Sequence, residues 1–391
     1  MNMKVTISDA VKYIGVDDKT IDLFESQYVV PKGVSYNSYL ILDEKVALMD
    51  TVDVRGMKEW EKNLTETLAG RKVDYLVIQH LEPDHAGSIG RLLELYPDVT
   101  LVGNAKTFAM LPQFFDIDPN VKKLTVAEGD TLSLGNHTLT FVMAPMVHWP
   151  EVMVTYESTE KILFSADGFG KFGALDSEDE EGWSGEARRY YFNIVGKYGA
   201  PVQALLKKAA NLDIQTICPL HGPVLKENLG YYIGLYDTWS SYRPEDKGVL
   251  VAYASIHGNT AKAAEKFAEM LRAKGVEKVV VSDLAREDMA EVIEDAFRYD
   301  RMVVAGASYD GGVFPCMQDF LHHLQSKAYQ NRTIGIIENG SWGPTAGRTM
   351  KAILETMKNV TIVDPMVTIK STMKESDMPA LEALADAIAN A

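Results

Sequence analysis

Six residues of this chain, His80-Leu81-Glu82-Pro83-Asp84-His85, bring two imidazoles and two carboxylates together. A packed apolar core has no use for such a run, and these are the side chains that ligate metal ions. The run follows an apolar stretch, Val73–Ile78, that reads as a strand. A strand end opening onto a loop suits ligands, because the loop supplies them and the sheet holds them still. Three more candidates stand where later strands should end. His148 follows Thr138–Met143, Asp167 follows Lys161–Ser165, and His221 follows Ile214–Cys218. Together with His80, Glu82, Asp84 and His85 they make four imidazoles and three carboxylates. That set suits two metal ions sharing one carboxylate, with positions left open for substrate.

Read singly, each member has a plainer explanation. Asp84 could cap the helix that follows, and Asp167 before Gly168 could be a turn residue. The joint pattern points instead to a metal pair. Imidazole suits iron and zinc alike. Three carboxylates nearly neutralise two divalent ions and favour the ferric state, so iron is expected over manganese or zinc. Cys218 reads as a half-buried strand cysteine rather than a ligand. His137, in a Gly-Asn-His-Thr turn, reads as a surface residue, and His322 and His323 on a later helix receive no role.

A second constellation lies further along. Ser255-Ile256-His257-Gly258-Asn259-Thr260 stands between the apolar run Gly248–Ala254 and a helix over Ala261–Lys274. Small hydroxyl side chains and backbone N–H groups at a helix N-terminus make an anion site. The segment has neither GxGxxG nor GK[ST], so a mononucleotide phosphate fits best, with a plain strand–helix turn as the alternative. Ser308-Tyr309-Asp310-Gly311-Gly312 and Glu338-Asn339-Gly340-Ser341-Trp342-Gly343 also follow expected strands. In parallel sheets ligands bind at such carboxyl ends. Tyr309 and Trp342 offer aromatic faces for an isoalloxazine ring.

The elements that must position these residues divide at a polar segment, Thr238–Lys247, read as a linker. Residues 1–247 show a hairpin over Val34–Met49 turning at Asp43-Glu44-Lys45, a helix over Val54–Leu68, and a succession of short strands and helices. Residues 248–391 show five strands alternating with helices, the pattern of a doubly wound parallel sheet. At 391 residues two domains are expected. A net charge of −16 argues against nucleic acid and anionic membranes as partners. Two distant cysteines form neither a disulfide framework nor a CxxC motif, which fits a reducing cytoplasm. The N-terminus lacks the charge and apolar pattern of a signal peptide, and no apolar run is long enough to cross a bilayer.

The order HxExDH, His, Asp, His, after a hairpin reading SYNSYLILDEKVALMDT, resembles the metallo-β-lactamase superfamily. Its hydrolases carry HxHxDH, with histidine where this chain has Glu82. That replacement, together with the second domain, resembles the flavodiiron (A-type flavoprotein) family over nearly the whole chain. The implied fold is α/β: an N-terminal metallo-β-lactamase-like αβ/βα sandwich, then a C-terminal flavodoxin-like doubly wound parallel sheet. The resemblance implies that His80, Glu82 and His148 hold the iron nearer the flavin, that Asp84, His85 and His221 hold the distal iron, and that Asp167 bridges them. Asp50 resembles the superfamily's supporting carboxylate.

The three loops of the second domain resemble flavodoxin FMN loops, which assigns the cofactor to Ser255, His257, Gly258, Asn259, Thr260, Ser308, Tyr309, Asp310, Gly311, Gly340, Ser341, Trp342 and Gly343. Flavodoxins often read GSYGW in the third loop, where this chain has GSWGP. The implied activity is reduction of O2 to water, of NO to N2O, or both. Electrons would pass through FMN from a separate donor, a rubredoxin or, as the alternative, reduced coenzyme F420. The implied assembly is a head-to-tail homodimer or a dimer of dimers. Trp149 and Tyr191 are candidates for lining the substrate pocket, with core packing as the other reading. The rival functions are a zinc hydrolase fused to a flavodoxin-like domain and an electron carrier with a vestigial metal site.

Overall fold

The computed structural model describes residues 5–177 and 181–391. The chain forms two compact units, one of residues 1–191 with 200–237 and one of residues 192–199 with 238–391.

The first unit contains two principal sheets. In the first sheet the strands run in the order Val11–Tyr13, Tyr39–Leu42, Val46–Met49, Tyr75–Val77, Thr100–Gly103, Lys123–Thr125. Tyr39–Leu42 and Val46–Met49 are the expected hairpin, and from Val46–Met49 onward the pairing is parallel. Val46–Met49 is buried at every position, which explains its unbroken apolar run. In the second sheet the order is Thr131–Ser133, Thr138–Met143, Met153–Glu157, Ile162–Phe164, Thr216–Cys218. The inner faces of the two sheets share one core. Tyr39, Ile41, Met49, Val77 and Val102 of the first meet Leu139, Phe141, Met153, Phe164 and Cys218 of the second. Helix Met57–Leu68 buries Trp60, Leu64 and Leu68, one residue per turn along a single stripe. This is the αβ/βα sandwich expected from the sequence.

Cys218 is fully buried in that core rather than half-buried, because Thr216–Cys218 pairs with Ile162–Phe164 deep in the sheet. His137 also departs from expectation. It is buried, and its Nδ1 lies 2.8 Å from Asp43 Oδ2, a partner 94 residues away that its own turn does not reveal.

The second unit is a parallel sheet in the order Val279–Asp283, Asp246–Ala254, Tyr299–Tyr309, Arg332–Asn339, with Val360–Ile362 and Val367–Ile369 both on the last of these. The first strand therefore lies between the second and the third, the flavodoxin-type order with its switch point beside the first strand. Helices Asn259–Ala273 and Met378–Ala389 bury Phe267, Leu271, Leu381 and Leu384 against one face. The polar segment 238–247 is folded. It carries the end of helix Leu229–Ser240 and the start of strand Asp246–Ala254. Within it Trp239 is fully buried and its indole N–H donates to Glu245 Oε2 (2.7 Å).

Among the described residues no helix is long and apolar enough to cross a membrane.

Candidate metal centre and flavin pocket

All seven expected ligands come together at the carboxyl ends of the strands of the first unit. His80 follows Tyr75–Val77. Pro83, whose fixed φ suits the first helical position, starts the short helix Pro83–Ala86 that presents Asp84 and His85. Asp167 sits in a loop closed by Gly168 N–H donating to Ser165 O and Gly170 N–H to Asp167 O, both at 3.0 Å.

The ligand atoms form two groups. In the first, His80 Nε2 lies 3.2 Å from Glu82 Oε2, 3.4 Å from His148 Nε2 and 3.2 Å from Asp167 Oδ2. His148 Nε2 lies 3.0 Å from Glu82 Oε2 and 3.2 Å from Asp167 Oδ2. In the second, Asp84 Oδ2 lies 3.3 Å from His85 Nε2 and 3.2 Å from His221 Nε2. Asp167 Oδ1 is 3.1 Å from His85 Nε2 and 3.8 Å from His221 Nε2. One carboxylate thus turns one oxygen to each group.

The donors fit a pair of metal ions. Nitrogen and oxygen ligands about 2.0–2.2 Å from a metal stand about 3 Å apart from one another. The observed spacings match. Both oxygens of Asp84, Oδ2 of Asp167 and Nε2 of His221 are buried without a hydrogen-bond partner among the described residues. Buried polar atoms are ordinarily satisfied, so such a convergence calls for a bound cation.

The far sides of two imidazoles fix which nitrogen is bare. His80 Nδ1 donates to Glu151 Oε1 (2.8 Å), which also accepts from Leu81 N–H (2.9 Å). His221 Nδ1 donates to the Ser35 carbonyl (2.7 Å), which can only accept. With Nδ1 carrying the proton in each ring, it is the Nε2 atoms of His80 and His221 that are left to ligate a metal. Asp50 accepts from the backbone and side-chain N–H groups of Gln79 at 2.7 and 2.9 Å, anchoring the strand end just before His80. Burial pushes the Asp50 carboxyl up to about 6.

Glu151 was not foreseen. It lies three residues after His148 in an irregular stretch, and its bond to His80 spans 71 residues. Removing it as Glu151→Ala is expected to weaken iron binding about 10–100-fold, the usual cost of losing a partner behind a ligating histidine. Titration of the metal-free protein with Fe(II) measures this.

Trp149 lies edge-on to His80, ring centres 5.2 Å apart, and stacks on Phe114, so it does flank the first group. Tyr191 is buried and packs against Tyr236, ring centres 5.2 Å apart. The neighbouring Tyr190 meets the site, its ring 5.5 Å from His221. Helix Trp183–Tyr190 ends there, and successive helical residues point about 100° apart, which turns the two rings to different partners.

In the second unit all three expected loops line one cavity of about 370 Å³. Ser255, His257, Asn259, Thr260, Ser308, Tyr309, Asp310, Gly311, Gly340, Ser341, Trp342 and Gly343 border it. Gly258 does not. It holds φ +85° at the start of helix Asn259–Ala273 and shapes the turn. Asn339, within the third expected loop, borders the cavity as well, and so do Thr345 and Ser371, which were missed, the last on a loop that carries no recognisable motif. Trp342 is 98 % exposed and Tyr309 44 %. Two such aromatics beside a cavity at a helix N-terminus fit a planar ring system carrying a phosphate.

A family profile described as "ODP family beta lactamase" matches residues 34–222. The nitric oxide reductase of Moorella thermoacetica is 30 % identical over 387 residues, covering 97 % of this chain and 96 % of that one. Among solved structures, the rubredoxin oxygen:oxidoreductase of Desulfovibrio gigas superposes with a TM-score of 0.92 at 26 % identity, covering 99 % of this chain and 98 % of that one. The flavodiiron protein of Giardia intestinalis shares the fold, with a TM-score of 0.89 at 24 % identity over 99 % of this chain and 96 % of that one. By its seven converging donors, its flavin pocket and these end-to-end likenesses, the chain belongs to the flavodiiron protein family.

Proposed function

We propose that this chain is an oxidoreductase that reduces O2 to water, NO to N2O, or both, at a di-iron site supplied with electrons through FMN. The observation that carries the reading is one carboxylate, Asp167, turned toward two ligand groups in a chain that also holds a flavin pocket. His80, Glu82 and His148 would hold one iron with Asp167 Oδ2. Asp84, His85 and His221 would hold the other with Asp167 Oδ1. When bound, the two irons and FMN supply the electron transfer to the gas. The protein's part is to fix ligand geometry, to balance charge with three carboxylates, and to shield the site. Of the ligands, His80, Asp84, His85, His148, Asp167 and His221 are buried. Glu82, standing where a hydrolase of this fold has histidine, and the flavin pocket both weigh against the zinc hydrolase. The donor in this reading is a rubredoxin, as the name of the Desulfovibrio gigas relative states for that protein. The assembly is a head-to-tail homodimer in a reducing cytoplasm, in keeping with two free cysteines. A monomer in sedimentation would contradict the assembly.

Protons compete with iron here. Burial opposes charge on His148, but its contacts with Asp167 and Glu82 prevail and raise its pKa to about 9. His80 and His85 are raised likewise by neighbouring carboxylates, against burial. Below pH 9 the metal-free site therefore holds protons that iron must displace. Iron affinity is expected to rise with pH up to about 9 and to fall as the pH drops. Proton release on Fe(II) addition, followed in a pH-stat, checks the sign.

The reaction itself is tested by mixing dithionite-reduced protein anaerobically with O2 and, separately, with NO, while following flavin absorbance. Rapid reoxidation by at least one gas is expected. Equal sluggishness with both would count against the reading.

A further inference from the structure

We propose that an apolar cavity beside the loop of Asp167 receives O2 or NO on its way to the metal pair. This rests on the function proposed above, since it takes the substrate to be a small uncharged gas. The cavity measures about 170 Å³, and all nine residues around it are apolar, Phe169, Leu206, Ile214 and Ile233 among them. Leu163 and Ile217 form its floor side by side on adjacent parallel strands. Their neighbours Ile162, Phe164 and Cys218 belong to the core between the sheets. Side chains alternate along a strand, so Leu163 and Ile217 lie on the opposite, outer face. There helices Gly199–Ala209 and Leu229–Ser240 supply Leu206, Ala209 and Ile233. Interdigitating side chains normally fill the space between helix and sheet. Small residues, Ala209 and Ala210, stand at this one.

Phe169 connects the cavity to the metal site. It lies two residues after Asp167 and holds φ +66°, rare for a bulky side chain and kept only where the surroundings impose it. The surroundings do so here. Its ring stacks on Tyr236 at 4.3 Å, and its N–H donates to the Tyr236 hydroxyl at 2.6 Å. The next residue, Gly170, runs against the second ligand group, where a Cβ would stand 3.5 Å from His221 Cβ and 3.3 Å from the Tyr190 ring. One short segment thus walls the cavity with its phenyl ring and the metal site with its backbone. O2 and NO carry no charge and favour apolar surroundings over water. The cleft is open to solvent at Ile233, which is 36 % exposed, so dissolved gas can enter it, and apolar walls of this kind bind xenon.

Xenon provides the test. Crystals of the holoenzyme under xenon pressure are expected to show an atom among Leu206, Ile217 and Phe169. Ala209→Phe, and Leu206→Phe as a second variant if the first fails to fold, are expected to lose it. With iron and FMN content matched, the filled variant should show a several-fold lower second-order rate constant for flavin reoxidation by gas, and unchanged flavin reduction by dithionite. Absence of xenon from the wild-type cavity would overturn the proposal, and so would an unchanged gas rate constant in a variant that has lost xenon. A wild-type holoenzyme inert to both gases would bring down the functional reading itself, and this route with it. A brisk wild type with an unaffected filled variant would bring down the route alone.

Discussion

Asp167→Asn is expected to empty both iron positions together while leaving FMN in place. The two oxygens of Asp167 face different ligand groups, at 3.2 Å from His80 and His148 and at 3.1 Å from His85. The residue is fully buried, and His80, His148 and His85 hold its carboxyl far below the usual range despite that burial. Removing one member of a buried charged set costs about 3–5 kcal/mol, more than about a hundredfold in affinity. Both ions lose that amount, since both share the group. The fold should survive, because the loop is closed by backbone bonds that asparagine leaves alone. Iron and FMN assayed on the same sample decide it. A variant that keeps one iron would show that Asp167 serves a single ion.

Gly340→Ala is expected to do the reverse, releasing FMN and sparing iron. A Cβ at this position would stand 2.8 Å from Pro344 Cα and 2.9 Å from Ser308 Oγ. Backbone has to move to admit it, and Ser308 Oγ is the acceptor that holds Thr345 and Ala346 N–H at 2.8 and 3.1 Å. Two of the three flavin loops meet at this contact. Overpacking of this kind costs about 1–3 kcal/mol, so FMN affinity should fall roughly tenfold. Flavin fluorescence on titration of the deflavinated protein with FMN measures it. Full-strength FMN binding in the variant would mean that the third loop lies off the cofactor.

These two substitutions rest on features of unequal legibility. The run from His80 to His85 announced itself because four ligands share six residues, and the scattered His148, Asp167 and His221 could be added because each follows a strand. The flavodoxin-like sheet was legible for a similar reason. Strands such as Val249–Ala254 are buried on both faces, so their apolar runs are unbroken. What escaped was set by tertiary contact. Glu151 and the Ser35 carbonyl act on histidines 71 and 186 residues away, and a carbonyl carries no side-chain signature at all. Helix Ala105–Phe114 carries Pro112 within it, a residue that in sequence argues against a helix interior. Helix Leu229–Ser240 shows little 3.6-residue period in the sequence, because apolar residues and two glycines surround its axis and leave little polar stripe. The same helix runs into the segment read as a linker, whose polar composition concealed the buried Trp239.

The most direct measurement is the iron count and Mössbauer spectrum of anaerobically purified protein, referred to FMN. Seven donors arranged around one shared carboxylate should give two irons per flavin, in unlike sites and magnetically coupled. A single iron per chain, two uncoupled irons, or zinc in their place would contradict the account.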